Sequence, residues 1–154
     1  MRIAYTAIVL DKRSQAKLLT FVPTGWDASR TCHHVTLTMG PWKGDPQLLG
    51  RKVTFSTGTF AANDRVCAFS VDITDNELTA FLTNPPHVTV AVTNGGKPFE
   101  AQSLNYAAGV HHVPIELTGV VREMGQGDYN LALVSEELLR SLIDEVIKIQ
   151  KANG

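Results

Sequence analysis

Two short strings in this sequence place side chains that can do chemistry together: His34-Val35-Thr36-Leu37 and His87-Val88-Thr89-Val90. Each reads His, apolar, Thr, apolar, and each lies in a β-rich run. Side chains alternate along a strand, so His and Thr at i and i+2 share one face while the residue between them faces the other. Each string therefore offers an imidazole and a hydroxyl side by side, backed by an apolar core face. Two such strands brought together would assemble His34, Thr36, His87 and Thr89 into one constellation. Histidine titrates near neutral pH, so one imidazole serves as base while the other is protonated as acid. The hydroxyls donate to non-bridging phosphate oxygens without a metal. The matching reaction class is phosphodiester cleavage. A single H-x-T is a weak signal; its repetition in the same context gives it force.

Other residues suggest how a nucleotide would be held. Tyr5, in the first apolar run, and Trp42, in a Gly/Pro-rich stretch, are candidates for stacking on bases. Lys97, in Gly95-Gly96-Lys97-Pro98, with the amides of that turn, is a candidate phosphate cradle. Glu123 is a candidate acceptor for a base edge. His33 precedes His34 and is expected on the opposite face of the strand. Cys32 and Cys67 are expected to be packing residues rather than nucleophiles. His111 and His112 form a second pair, but no C-x-x-C or H-x-x-x-H spacing points to a metal, so no metal or other cofactor is expected.

The elements that must position these residues follow from periodicity and punctuation. Residues 3–10 read as a buried strand and 14–21 as a short helix ended by Pro23, Thr24 and Gly25. Residues 31–39 alternate as a strand, and 40–50, with two Pro and three Gly, read as a loop. Residues 53–60 and 66–73 read as strands joined by a hairpin turn at Asn63 and Asp64. Thr74 and Glu77 form a capping box before Leu78, Phe81 and Leu82, which predicts a short helix. Residues 88–92 are a β-branched strand, 94–98 a tight turn, and 115–121 a further strand, while 105–112 give no clear signal. A helix is predicted over 135–152, capped by Ser135, with Leu138, Leu142, Val146 and Ile149 on one stripe. The sum is an α+β chain in which two helices flank six or so strands.

Composition bounds the function. The 154 residues suit one domain, 1–154. Hydrophobic residues make up 44% and charged residues 19%, which is ordinary globular composition. Fourteen basic residues against fifteen acidic ones leave a formal charge of −1. That balance disfavours a large basic face for duplex nucleic acid and fits a small nucleotide held in a local pocket. The longest apolar stretch falls far short of the roughly 20 residues of a membrane span. No signal-peptide pattern opens the chain, and two cysteines build no disulfide framework, so a cytoplasmic location is expected.

The duplicated H-x-T-hydrophobic pattern resembles the 2H phosphoesterase superfamily. Beyond the two motifs, Tyr5-Thr6-Ala7-Ile8, His33 to Gly40, Pro86 to Val92, Gly95 to Pro98 and Leu117 to Val121 look like its branch of phage anti-CBASS nucleases. These hydrolyse the cyclic oligonucleotide messengers of a bacterial immune system. The resemblance covers about residues 3–123. It implies a bilobal fold of mostly antiparallel strands around a central cleft with flanking helices, and one H-x-T strand from each lobe. It also implies metal-independent catalysis in which one His deprotonates a ribose 2′-OH and the other protonates the leaving 5′-oxygen. The pieces are similar, more loosely, to RNA-repair 2′,3′-cyclic phosphodiesterases, in which water would attack. A non-catalytic cyclic-nucleotide sponge and a metal-dependent hydrolase are the other readings.

Overall fold

Apolar and β-branched residues recur at a spacing of two through most of the chain, and in the computed structural model they become strands. The structure describes residues 3–82, 84–125 and 146–150. In chain order the elements are β1 (Ile3–Leu10), α1 (Lys12–Leu19), β2 (His34–Met39), β3 (Lys52–Ala62), β4 (Val66–Asp72), α2 (Asn76–Thr79), β5 (His87–Val92), β6 (Val110–His111) and β7 (Glu116–Gly125). Short 3-10 turns lie at Pro46–Leu48, Pro98–Ser103 and Tyr106–Ala108.

Local chemistry sets the helix starts. Asp11 caps α1 by accepting from the Ser14 amide at 2.8 Å, so the helix begins at Lys12 rather than near Ser14. The Ser14 hydroxyl in turn accepts from the Thr118 amide at 2.8 Å, which pins α1 to β7. The capping box expected from Thr74 does not form. Asp75 takes the cap instead, accepting from the Glu77 amide at 3.0 Å, and α2 is a single turn. Of the helix expected over 135–152, residues 146–150 are helical and the rest lies outside the described residues.

All strand pairings are antiparallel, in the order β2-β1-β7-β3-β4-β5, with the short β6 beside β3. Gly119 of β7 sits against β1 so closely that a Cβ there would come within 2.5 Å of the Val9 carbonyl oxygen. The sheet curls until its two ends meet. The seam is made by residues 27–32, just before β2, which run against β5. The Cys32 amide donates to the Thr89 carbonyl at 2.8 Å, and Asp27 and Val92 exchange backbone bonds at 2.7 and 2.9 Å. The strand expected from residue 31 therefore begins at His34, because residues 31 and 32 hydrogen-bond across the seam.

The main core lies on one face of this nearly closed sheet. Val35 and Leu37 of β2, Val88 and Val90 of β5, and Ile8, Phe69, Leu117 and Val121 are buried there with Leu18 of α1 and Leu78 of α2. The architecture is α+β: mostly antiparallel strands in a nearly closed sheet with few helices. Among the described residues, no helix is long and apolar enough to cross a membrane.

Candidate active site

The alternation read from the two motifs holds in both strands. Val35, Leu37, Val88 and Val90 are buried in the core, and His34, Thr36, His87 and Thr89 are partly exposed on the other face. His34 and His87 are each the first residue of their strand, at opposite ends of the sheet order. Closure of the sheet brings those ends together. All four motif residues line one cleft of about 210 Å³ with Tyr5, Arg30, His33, Phe99 and Gln102. The described lining residues include three histidines, one arginine and three threonines, and no Asp or Glu. Arg30 is thus the one fixed charge among the described lining residues.

Each imidazole is held by its Nδ1 side. The Nδ1 of His87 lies 3.2 Å from the Pro85 carbonyl, so that nitrogen carries the hydrogen. Its ring stacks on Tyr106, centroids 5.9 Å apart. Burial holds the His87 pKa below the ordinary value, against the pull of the Pro85 carbonyl. Burial also pushes His34 down, to about 3, with further lowering from the nearby His33 and His87. The Thr89 hydroxyl makes one long contact, 3.4 Å to the Pro98 carbonyl, and the Thr36 hydroxyl makes no hydrogen bond among the described residues. Both hydroxyls are available to a ligand.

The candidate binding residues separate. Tyr5 lines the cleft and lies over His34. Trp42, Glu123 and Lys97 do not line it. The Glu123 carboxylate accepts from the Trp42 amide at 3.0 Å, and the Trp42 indole donates to the Asp45 carbonyl at 3.0 Å and meets Phe81 edge-on. The two residues brace the loop after β2. Lys97 is exposed at the start of the turn Pro98–Ser103, where its amide donates to Glu100 at 3.1 Å. Cys67 is buried with its thiol raised to about 11, and Cys32 is buried with its thiol raised to about 12, donating to the Val90 carbonyl. Neither is a thiolate nucleophile.

His33 corrects its expectation. Its ring does not take the opposite face but turns back to His34, Nδ1 to Nδ1 at 3.1 Å. Alternation fails because His33 precedes β2 and follows Cys32, whose φ of 61° lies in the left-handed region. Arg30, Phe99 and Gln102 carried no signal in the sequence, since each sits outside the strands, where periodicity says nothing. His112 packs edge-on against Phe21, Phe60 and Phe69, away from the cleft. Among the described residues, no group of three or more His, Cys, Asp or Glu side chains could hold a metal. Compared with known proteins, the chain matches no family model and no curated protein sequence.

Proposed function

We propose that the protein is a phosphodiesterase that opens the 3′–5′ linkages of cyclic oligonucleotides by acid–base catalysis between His34 and His87. One observation carries this reading: two H-x-T strands from opposite ends of the sheet order line a single cleft that contains no described carboxylate. The sheet divides into β2-β1-β7 and β3-β4-β5, each half ending in its H-x-T strand. That division is consistent with the bilobal 2H arrangement.

In the proposed mechanism the phosphate sits between the two imidazoles. Thr36 and Thr89 donate to its non-bridging oxygens, and Arg30 adds a positive charge at the cleft. His34, neutral through burial, is the base: it takes the proton of the 2′-OH, whose oxygen attacks the adjacent phosphorus. His87 is the acid. Its Nδ1–H is fixed on the Pro85 carbonyl, so Nε2 delivers the proton to the departing 5′-oxygen. The bound phosphate charge favours both imidazolium forms and so offsets the burial that lowers them. A cleft of about 210 Å³ encloses one sugar–phosphate linkage, and the bases rest on its rim, where Phe99 is 65% exposed. Counteracting a cyclic-nucleotide immune signal such as that of CBASS is the corresponding biological role.

The test is hydrolysis in EDTA by the wild type beside His34→Ala and His87→Ala. The substrates are 3′,3′-cyclic GMP–AMP, a cyclic trinucleotide and an RNA ending in a 2′,3′-cyclic phosphate. Cleavage of the cyclic oligonucleotides, lost in both variants, is the expected result. Cleavage of the RNA end alone moves the assignment to RNA-repair phosphodiesterase. Loss of activity in EDTA points to a metal-dependent hydrolase, and retention of an intact cyclic nucleotide overturns catalysis in favour of a sponge.

A further inference from the structure

We infer that His33 is a positioning residue and proton acceptor behind His34: the two rings share one hydrogen between their Nδ1 atoms, and its place decides whether His34 meets the cleft as base or as acid. The catalytic half of this inference rests on the phosphodiesterase reading; the shared hydrogen does not.

The geometry is specific. Adjacent residues of a strand point to opposite faces, yet these two rings meet edge to face, centroids 5.3 Å apart and planes at 77°. The left-handed backbone at Cys32 is what turns His33 back. A neutral imidazole carries one N–H. Two Nδ1 atoms 3.1 Å apart then need one to donate and the other to accept. When His34 donates, its Nε2 is bare and basic. When a proton has reached the His34 Nε2 and His33, now an imidazolium, donates from Nδ1, the His34 Nε2–H is an acid whose loss returns the shared hydrogen to His34.

The proton count closes over a two-step reaction. In the first step the 2′-OH bond breaks and its proton goes to the His34 Nε2. The Nδ1 hydrogen of His34 passes to the Nδ1 of His33, which becomes an imidazolium, while His87 protonates the 5′-oxygen. The product is a 2′,3′-cyclic phosphate. In the second step the now neutral His87 takes a proton from the attacking water. His34 returns its Nε2 proton to the 2′-oxygen, and His33 hands the stored hydrogen back. Every group ends as it began. The positive charge rests on His33 rather than on His34, the more deeply buried ring. The titratable and charged groups lining the cleft around the pair are Tyr5 from β1, Arg30 and Cys32 from the segment before β2, and His87 from β5. The buried thiol of Cys32 stays neutral. Arg30 opposes a new cation, and the bound phosphate offsets it.

The experiment combines nitrogen NMR of the imidazoles with pH–rate profiles, on the full chain, for wild type, His33→Ala and His33→Asn, with thermal melts to confirm folding. In wild type the His34 nitrogens should show shifts averaged between bare and protonated. In His33→Ala they should collapse to one tautomer, with the His34 titration moved upward. The kcat should fall roughly 100-fold with KM little changed, and the acidic limb should move to higher pH. Asn at position 33 can orient His34 but cannot accept its proton, so a wild-type rate in His33→Asn overturns the relay. Identical His34 nitrogen shifts in wild type and His33→Ala overturn the shared hydrogen, whatever the activity. A shared hydrogen without cleavage of any substrate overturns the phosphodiesterase reading, and the catalytic half of this inference with it.

Discussion

The ring of Tyr5 lies over the imidazole of His34, with centroids 5.0 Å apart and planes inclined by 29°. Tyr5 is 6% exposed, so the pair forms a dry floor to the cleft. Tyr5→Ala should open that floor to water and raise the His34 pKa, seen by NMR titration. Large-to-small changes at buried aromatics cost roughly 3–5 kcal/mol, and denaturant unfolding should show a loss near that range. Tyr5→Phe keeps the stack and should leave the His34 titration nearly in place.

The two motifs should fail independently of folding. His34→Ala and His87→Ala should each lower turnover by roughly 10²–10⁴-fold, the ordinary contribution of an acid or base. Thr36→Val and Thr89→Val remove one donor each and should cost roughly 10²-fold. All four point away from the main core, so their melting temperatures should stay close to wild type.

Stability should depend on pH in a defined window. The folded-state pKa values of His34, His87 and His33 lie below the ordinary value of 6.5, chiefly through burial. Below that pH the unfolded chain binds protons that the folded chain refuses, so stability must fall as pH falls. Between pH 6.5 and 4.5 the loss from His34 alone, its pKa lowered to about 3, should be on the order of 2 kcal/mol, measured by denaturant unfolding. His34→Gln should flatten the slope.

The turn Pro98–Ser103 is held from outside by Arg65, which makes paired bonds to Glu100 at 2.7 and 2.9 Å and a further one to the Gly95 carbonyl at 2.6 Å. That turn presents Phe99 and Gln102 to the cleft. Phe99→Ala should raise KM about 5- to 100-fold, the effect of losing one stacked base, with a smaller change in kcat. Arg65→Ala should move KM in the same direction and less, because the pair is exposed and screened by salt.

Both thiols should resist alkylation by iodoacetamide at pH 8 in the native state and react once the chain is unfolded. Cys32 and Cys67 are buried, and their thiols are raised to about 12 and 11. Labelling of native Cys32 would mean that the seam beside it opens.

Much of this was readable in the residues themselves. The period of two put His34 with Thr36 and His87 with Thr89, because a β-branched neighbour buried on one face forces its polar partners onto the other. What sequence spacing could not carry was long-range: the meeting of the two sheet ends depends on the curl and on the bonds of residues 27–32 to β5. The same gap explains why Trp42 and Glu123 pair with each other outside the cleft, and why Arg30 and Phe99 went unseen. His33 departs from alternation because the left-handed backbone at Cys32, one residue before it, resets the direction of the chain. The capped starts at Asp11 and Asp75 were near misses, each decided by which of several adjacent polar side chains reaches the free amides.

An open sheet exposes two lateral strands whose free amides and carbonyls invite pairing with another chain, and proteins usually blunt those strands with charge, proline or a bulge. Here β2 and β5 hold those positions, and both are too apolar in sequence to repel a neighbour. Residues 27–32 cover β5 along the seam. The junction that gathers the histidines thus also covers backbone of β5 that would otherwise stand open to another chain. Substitutions that loosen it should raise the tendency to aggregate before they lower the melting temperature.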